Sequence, residues 1–133
     1  MNKLRGNIES VEVSGNLSIV SMLINNKTLL KSIVIETPET APHLLIGTEI
    51  SALFKETEVI IGTGEKLNIS IQNKIPGIVK KIEKGTLLSE VVITIGTNEI
   101  TAITTTSAII ELELQEQMAV TAMIKLNEIM LSK

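Results

Sequence analysis

Apolar positions along this chain come in short runs whose spacing is that of strands. "IPGIVKKI", "LLSEVVITI" and "ITAITTT" are dense in β-branched residues and are separated by the turn-like strings "EKG" and "GTNE". Such runs, bounded by glycine-containing breaks, predict three consecutive antiparallel strands. The first half of the chain repeats the plan, with "VSGN" and "INNK" as its turns. After the third strand both halves change character. "TPETAPHLLIG" places Pro38 and Pro42 around a short turn or helical piece, and "SAIIELELQEQ" has room for one to two turns of helix. A last apolar run follows in each half, "TEISALFKETEVII" and "MAVTAMIKLNEIML", with a lysine inside it (Lys55 or Lys125) and a break expected near that lysine.

The two halves are two copies of one unit. Setting residues 3–20 above residues 74–91 matches Lys3 with Lys74, Gly6 with Gly77, Val11 with Ile82, Glu12 with Glu83, Leu17 with Leu88 and Ser18 with Ser89, each pair 71 residues apart. Later, Ala52/Ala122, Lys55/Lys125 and Glu58/Glu128 align at a spacing of 70, so one residue has been gained or lost between the blocks. The expected domains are therefore residues 1–64 and 65–133, joined near "GTGEKLN". Three strands, a short helix and a last broken strand give the element order of a small OB-like barrel. The predicted fold is mainly β, two tandem five-stranded OB-like barrels, each with a short helix. A unit of about 65 residues has a thin core, so association with other chains is the expectation.

Composition narrows the chemistry. Hydrophobic residues make up 44% of the chain and aromatics 1%, so the core must be built from Ile, Val, Leu, Ala and Met. There is no cysteine, which removes thiol catalysis, disulfides and Cys-ligated zinc. His43 is the only histidine, sits beside Pro42 and reads as a surface residue; no metal-ligand spacing surrounds it. No phosphate-binding G-x-x-x-x-G-K-[ST] loop is present, and nothing pairs a nucleophile with a base, so the chain reads as a non-enzyme without an organic cofactor. The start "MNKLRGNIES" has no apolar segment of the signal-peptide kind, and no run approaches the roughly 20 apolar residues of a membrane span, which points to a cytoplasmic protein. The formal net charge of -3 is the wrong sign for gripping a phosphate backbone. One Phe without Tyr or Trp leaves an OB-type nucleic-acid binder no stacking platform. Lys74, Lys80, Lys81 and Lys84 form the one basic cluster and read as a solvated strand face.

Residues 69–132, from "ISIQNKIPGIVKKIEKG" to "TAMIKLNEIMLS", resemble end to end the Mop domain of molbindins, the small molybdate-binding proteins; the first copy is similar in "KLRG" and in "ETPETAPHLLIGTEISALFKETEVII". The resemblance implies a tandem form whose chains assemble as a trimer, a pseudo-hexamer of Mop domains, with molybdate or tungstate held at interfaces between domains. Carried over residue by residue, it assigns the opening segment to Ser70, Ile71, Gln72 and Asn73. The third-strand hydroxyls fall on Thr105, Thr106 and Ser107 in the second copy and on Thr37 and Thr40 in the first, and the lysines are Lys55 and Lys125. Gln72 stands where the family has arginine, and the first copy opens at Met1, short of the serine and arginine positions.

This residue set suits a tetrahedral dianion. Molybdate presents four acceptor oxygens and no donor, so hydroxyls, an amide, backbone N–H groups and a lysine are the complementary lining. The implied role is storage and homeostasis of the oxyanion. A stand-alone sensing module acting on a regulator or transporter is the alternative, with a nucleic-acid binder a distant third.

Overall fold

The computed structural model describes residues 1–133 as ten strands and one short helix. Strands β1 (Asn2–Ser14), β2 (Leu17–Ile24), β3 (Thr28–Val34), β4 (Glu49–Phe54) and β5 (Ile60–Gly62) come from the first half. Strands β6 (Asn73–Lys84), β7 (Leu88–Ile95), β8 (Asn98–Thr105), β9 (Ala119–Ile124) and β10 (Met130–Ser132) come from the second, with helix α1 (Thr106–Glu111) between β8 and β9.

They form two five-stranded sheets of identical order, β10-β4-β1-β2-β3 and β5-β9-β6-β7-β8. The chain accordingly divides into two compact units. Unit 1 holds Lys3–Phe54 and Lys125–Lys133; unit 2 holds Lys55–Ile124 together with Asn2. The sequence halves and the compact units therefore differ by an exchange of the last strand. β5, written in the first copy, pairs with β9 in the register Ile60 with Met123, whereas β10, written in the second, pairs with β4, Met130 opposite Leu53.

The segment before each exchanged strand explains why the chain runs on instead of folding back. Lys55 (φ −78°, ψ 151°) and Val59 (φ −86°, ψ 123°) are both extended and flank a single 3-10 turn, Glu56–Glu58, too little bend for a hairpin onto β4. Lys125 and Ile129 flank Leu126–Glu128 in the same way. The expected break near the lysine is present. Each lysine lies in the break itself, not inside a strand, because the strand-like run has already ended at Phe54 or Ile124.

Equivalent residues build the two cores. Leu4, Ile8, Val20, Met22, Ile24, Leu30, Ile50 and Phe54 in unit 1 are matched by Ile75, Val79, Val91, Ile93, Ile95, Ile100, Val120 and Ile124 in unit 2, and all are at most 5% exposed. The alternation is written in β1, whose first eight residues bury every second side chain. A bulge follows in both units, between Ile8 and Ser10 and between Val79 and Lys81. It frees backbone groups that hold the loop entering the fourth strand: Ile8 N donates to Thr48 O (2.9 Å) and Val79 N to Met118 O (2.9 Å). Gly6 and Gly77 let the first strand of each unit approach the second. A Cβ on Gly6 would lie 2.2 Å from Leu23 O, and one on Gly77 2.5 Å from Ile93 Cγ2. The edge strands β10 and β3 touch, as do β5 and β8, so each sheet curls on itself.

The helix expected in each copy exists only in the second. In the first, residues 37–47 form successive turns: Ala41 N donates to Thr37 O (2.7 Å) and Leu44 N to Ala41 O (3.0 Å), and no helix continues. Pro42 offers no N–H and disfavours the helical conformation of the residue before it, whereas "TSAIIE" contains no proline.

Candidate functional site

Three groups of polar side chains, the first two present in both repeats, could face an anion. The first is the pair of lysines. Lys55 and Lys125 are exposed, extended in backbone and without a salt bridge in the chain. The turn after Lys55 rests on β8 of unit 2, and the turn after Lys125 on β3 of unit 1, where Ser32 Oγ donates to Ile129 O (2.7 Å). Lys125 thus belongs to the unit built from the first copy's sheet and Lys55 to the other, the reverse of their order in sequence.

The second group is the hydroxyl turn after the third strand. Thr105 caps α1, its Oγ1 accepting from Ala108 N at 3.1 Å, which leaves its own proton free to donate. Thr106 is tied inward, to Ser89 Oγ (2.8 Å) and Gly85 O (2.9 Å), while its N–H donates to Leu87 O at 2.8 Å. Ser107 is exposed. In unit 1, Ser18 Oγ donates to Glu36 O (2.6 Å), so Glu36 occupies the place of Thr106. Thr37 is 8% exposed; its N–H donates to Thr40 Oγ1 (2.9 Å), and its Oγ1 accepts from Glu39 N (3.3 Å). Thr40 Oγ1 in turn donates to Thr37 O at 3.3 Å.

The third group is the segment entering β6. Ser70 and Gln72 are exposed and Ile71 is half-buried. Asn73 is 1% exposed and engaged in interactions of its own, so its carboxamide is a structural group. Its repeat equivalent Asn2 shows what such an asparagine can do: Nδ2 donates to Thr101 O (2.8 Å) and Oδ1 accepts from Thr101 N (2.8 Å), completing the hydrogen bonds of edge strand β8.

Unit 2 does not bring its groups together. Asn73 opens β6 opposite Ile124, whereas Lys84 closes it opposite Ser89, next to the Leu88–Thr105 pair. Twelve residues of strand separate the two ends, roughly 35 Å at about 3.3 Å per residue. No single oxyanion reaches both residues 70–72 and residues 105–107 of one unit.

Most of the basic cluster is spent on neighbours. Lys80 pairs with Glu99, Lys81 lies 3.7 Å from Glu83, and Lys74 Nζ donates to Leu67 O at 3.2 Å. Lys84 has no such partner and lines an open groove of about 840 Å³ whose wall is apolar at Ile109, Ile110, Leu114 and Met118 and acidic at Glu113 and Glu116. Sequence reasoning passed over Asn2 and the serine pair Ser18/Ser89. Asn2 stands one residue before the matched Lys3, as Asn73 stands before Lys74, and the repeat alone could have marked it.

No helix of the chain is long and apolar enough to cross a membrane. Residues 69–131, just under half of the chain, match the TOBE domain. No curated protein sequence matches. Among solved structures, the chain is similar over 98% of its length, and over 94% of the other chain, to the cytoplasmic molybdate-binding protein ModG crystallised with molybdate bound, at 25% identity and a TM-score of 0.89. A molybdate-binding protein from Sporomusa ovata matches 44% of this chain and 88% of its own at 34% identity, with a TM-score of 0.43.

Proposed function

We propose that the chain is a tandem Mop-domain protein of the molbindin kind, each unit an OB-type barrel, that binds molybdate or tungstate without transforming it and serves to store the oxyanion in the cytoplasm. The observation that carries this reading is the likeness along almost the whole chain to a protein that holds molybdate.

The donor set agrees with it in chemistry. Lys55, Lys125, the hydroxyls of Thr37, Thr40, Thr105 and Ser107, and the backbone around Ser70, Ile71 and Gln72 are donors suited to an ion with only acceptors. A lysine contributes charge-assisted bonds, roughly twice as strong as neutral ones. One lysine leaves a dianion under-neutralised, so oriented N–H and O–H dipoles carry the rest. Because the groups of one unit lie at opposite ends of its long strand, a pocket that uses both needs donors from more than one unit, which fits sites at the interfaces of a homo-oligomer, a trimer in this reading.

Titration calorimetry with molybdate and tungstate, with sulfate as the control, tests the function. Saturable binding of the two larger anions at micromolar protein, with sulfate weaker, is expected. No saturable heat from either would remove the oxyanion reading.

A further inference from the structure

The two hydroxyl turns, matched position by position, are opposite in character. Ser18 pairs with Val34 and Ser89 with Thr104, which sets the turns in register. From there Ile35 stands for Thr105, Glu36 for Thr106, Thr37 for Ser107 and Pro38 for Ala108. In unit 2, Thr105 and Ser107 are exposed hydroxyls, and Thr105 keeps its own proton because its oxygen accepts from Ala108 N at 3.1 Å. In unit 1 the position of Thr105 is an isoleucine, 76% exposed, and Thr37 is buried. Pro38 has no N–H to give, and Thr40 Oγ1 already donates to Thr37 O. The turn is left with the proton of Thr37, whose oxygen accepts from Glu39 N.

Charge separates the turns further. An open hollow of about 310 Å³ lies at the unit 1 turn, lined by Val13, Gly15, Thr37, Pro38 and Glu39, so a small ion has room there. The one charged side chain in that wall is Glu39. Glu36 is exposed one residue before Thr37, neither glutamate is in a salt bridge, and no cation stands among residues 12–17 or 35–40. The turn uses only the backbone of both: Ser18 Oγ bonds the Glu36 carbonyl, and Thr37 Oγ1 bonds the Glu39 N–H. In unit 2 no acid stands among residues 104–110. Glu83 lies 3.7 Å from Lys81, and Glu111, Glu113 and Glu116 come where α1 ends or later. A fixed carboxylate repels a dianion, and two groups with only acceptor oxygens offer each other no hydrogen bond.

We propose that Glu39 and Glu36 are specificity-determining residues that hold the unit 1 turn to a weak site for dianions, so the chain fills its unit 2 turn first and the unit 1 turn only at much higher oxyanion concentration. This deepens the oxyanion reading and rests on it for the ligand. The difference between the turns rests on their own residues.

Calorimetric titration of the full chain with molybdate, carried to millimolar anion, tests the assignment, with circular dichroism to confirm folding. The wild type should show sites of at least two affinities. Glu36→Gln/Glu39→Gln keeps both backbone bonds and removes two charges; it should tighten the weaker class by roughly tenfold and leave the tighter class where it was. Thr37→Val added to that double variant should cancel the gain, because the gained site needs the one hydroxyl proton of its turn. Thr105→Val should weaken the tighter class instead. A double variant whose isotherm matches wild type, a gain that appears in the tighter class, or a gain that survives Thr37→Val would overturn the assignment. Saturable binding without the gain sinks only the role of the two glutamates. A wild type that binds no molybdate sinks the oxyanion reading and this inference with it.

Discussion

Gly6→Ala is the sharpest probe of how the first strand seats on the second. An added Cβ would lie 2.2 Å from Leu23 O and 2.9 Å from Leu23 C, with Ile24 Cδ1 at 3.1 Å. The Ile24 methyl can rotate away, but the Leu23 carbonyl belongs to β2 and cannot. Carbon–oxygen contacts ordinarily stop near 3.3 Å, so β1 must retreat by about 1 Å at the point where Asn7 pairs with Leu23. Overpacking of this kind costs about 1–3 kcal/mol. A strained or lost ladder bond adds about 1 kcal/mol, and the stiffer unfolded chain returns about 0.5–1 kcal/mol. The net loss is about 1–3.5 kcal/mol, with the upper half expected because the clash is with backbone. At Gly77 the nearest atom is a side-chain methyl, Ile93 Cγ2 at 2.5 Å, with Thr94 O at 2.9 Å, so part of the clash relaxes by rotation. Gly77→Ala should cost about 1–2 kcal/mol by the same reckoning. Urea melts followed by circular dichroism read both, and a Gly6→Ala midpoint equal to wild type, or above that of Gly77→Ala, would refute the close-approach argument.

Two further outcomes are expected. Lys125→Ala, a change at an exposed and unpaired side chain, should leave the fold and mass intact but weaken a subset of molybdate sites by roughly tenfold, about 1.4 kcal/mol; unchanged stoichiometry and affinity in calorimetry would take Lys125 out of the pocket. Asn2→Ala removes both bonds to Thr101 and strands a backbone donor and acceptor on edge strand β8, at a cost of about 1–3 kcal/mol; hydrogen exchange should show the Thr101 amide opening faster, and unaltered protection there would deny Asn2 its role.

Much of the fold could be read from local pattern. The runs around Val91 and Ile103 alternate as strands do and became β7 and β8, and "INNK" became a turn with Asn25 and Asn26 at positive φ (55° and 54°). The matched Gly6 and Gly77 carried a reason the repeat displayed but did not explain. The exchanged last strand was invisible for a physical cause. β4 and β9 offer nearly the same edge to an incoming strand, down to Ala52 and Ala122, so local sequence does not decide between them. Helix in the first copy was over-read, since one proline at position 42 outweighs the apolar residues around it. At the candidate site, residue types were legible but geometry was not. Thr106 and Asn73, chosen as ligands by resemblance, are committed to Ser89 and to the interior, while Lys84 looked like one more member of a solvated cluster.

The exchange of β5 and β10 separates ancestry from mechanics. A protease cutting the tether at residues 63–68 would leave two fragments, each with its tail woven into a sheet that the other fragment mostly supplies. Such a nicked molecule stays one particle until a sheet opens. A lesion at Met130, near the carboxyl terminus, is likewise felt first by the fabric begun at Lys3.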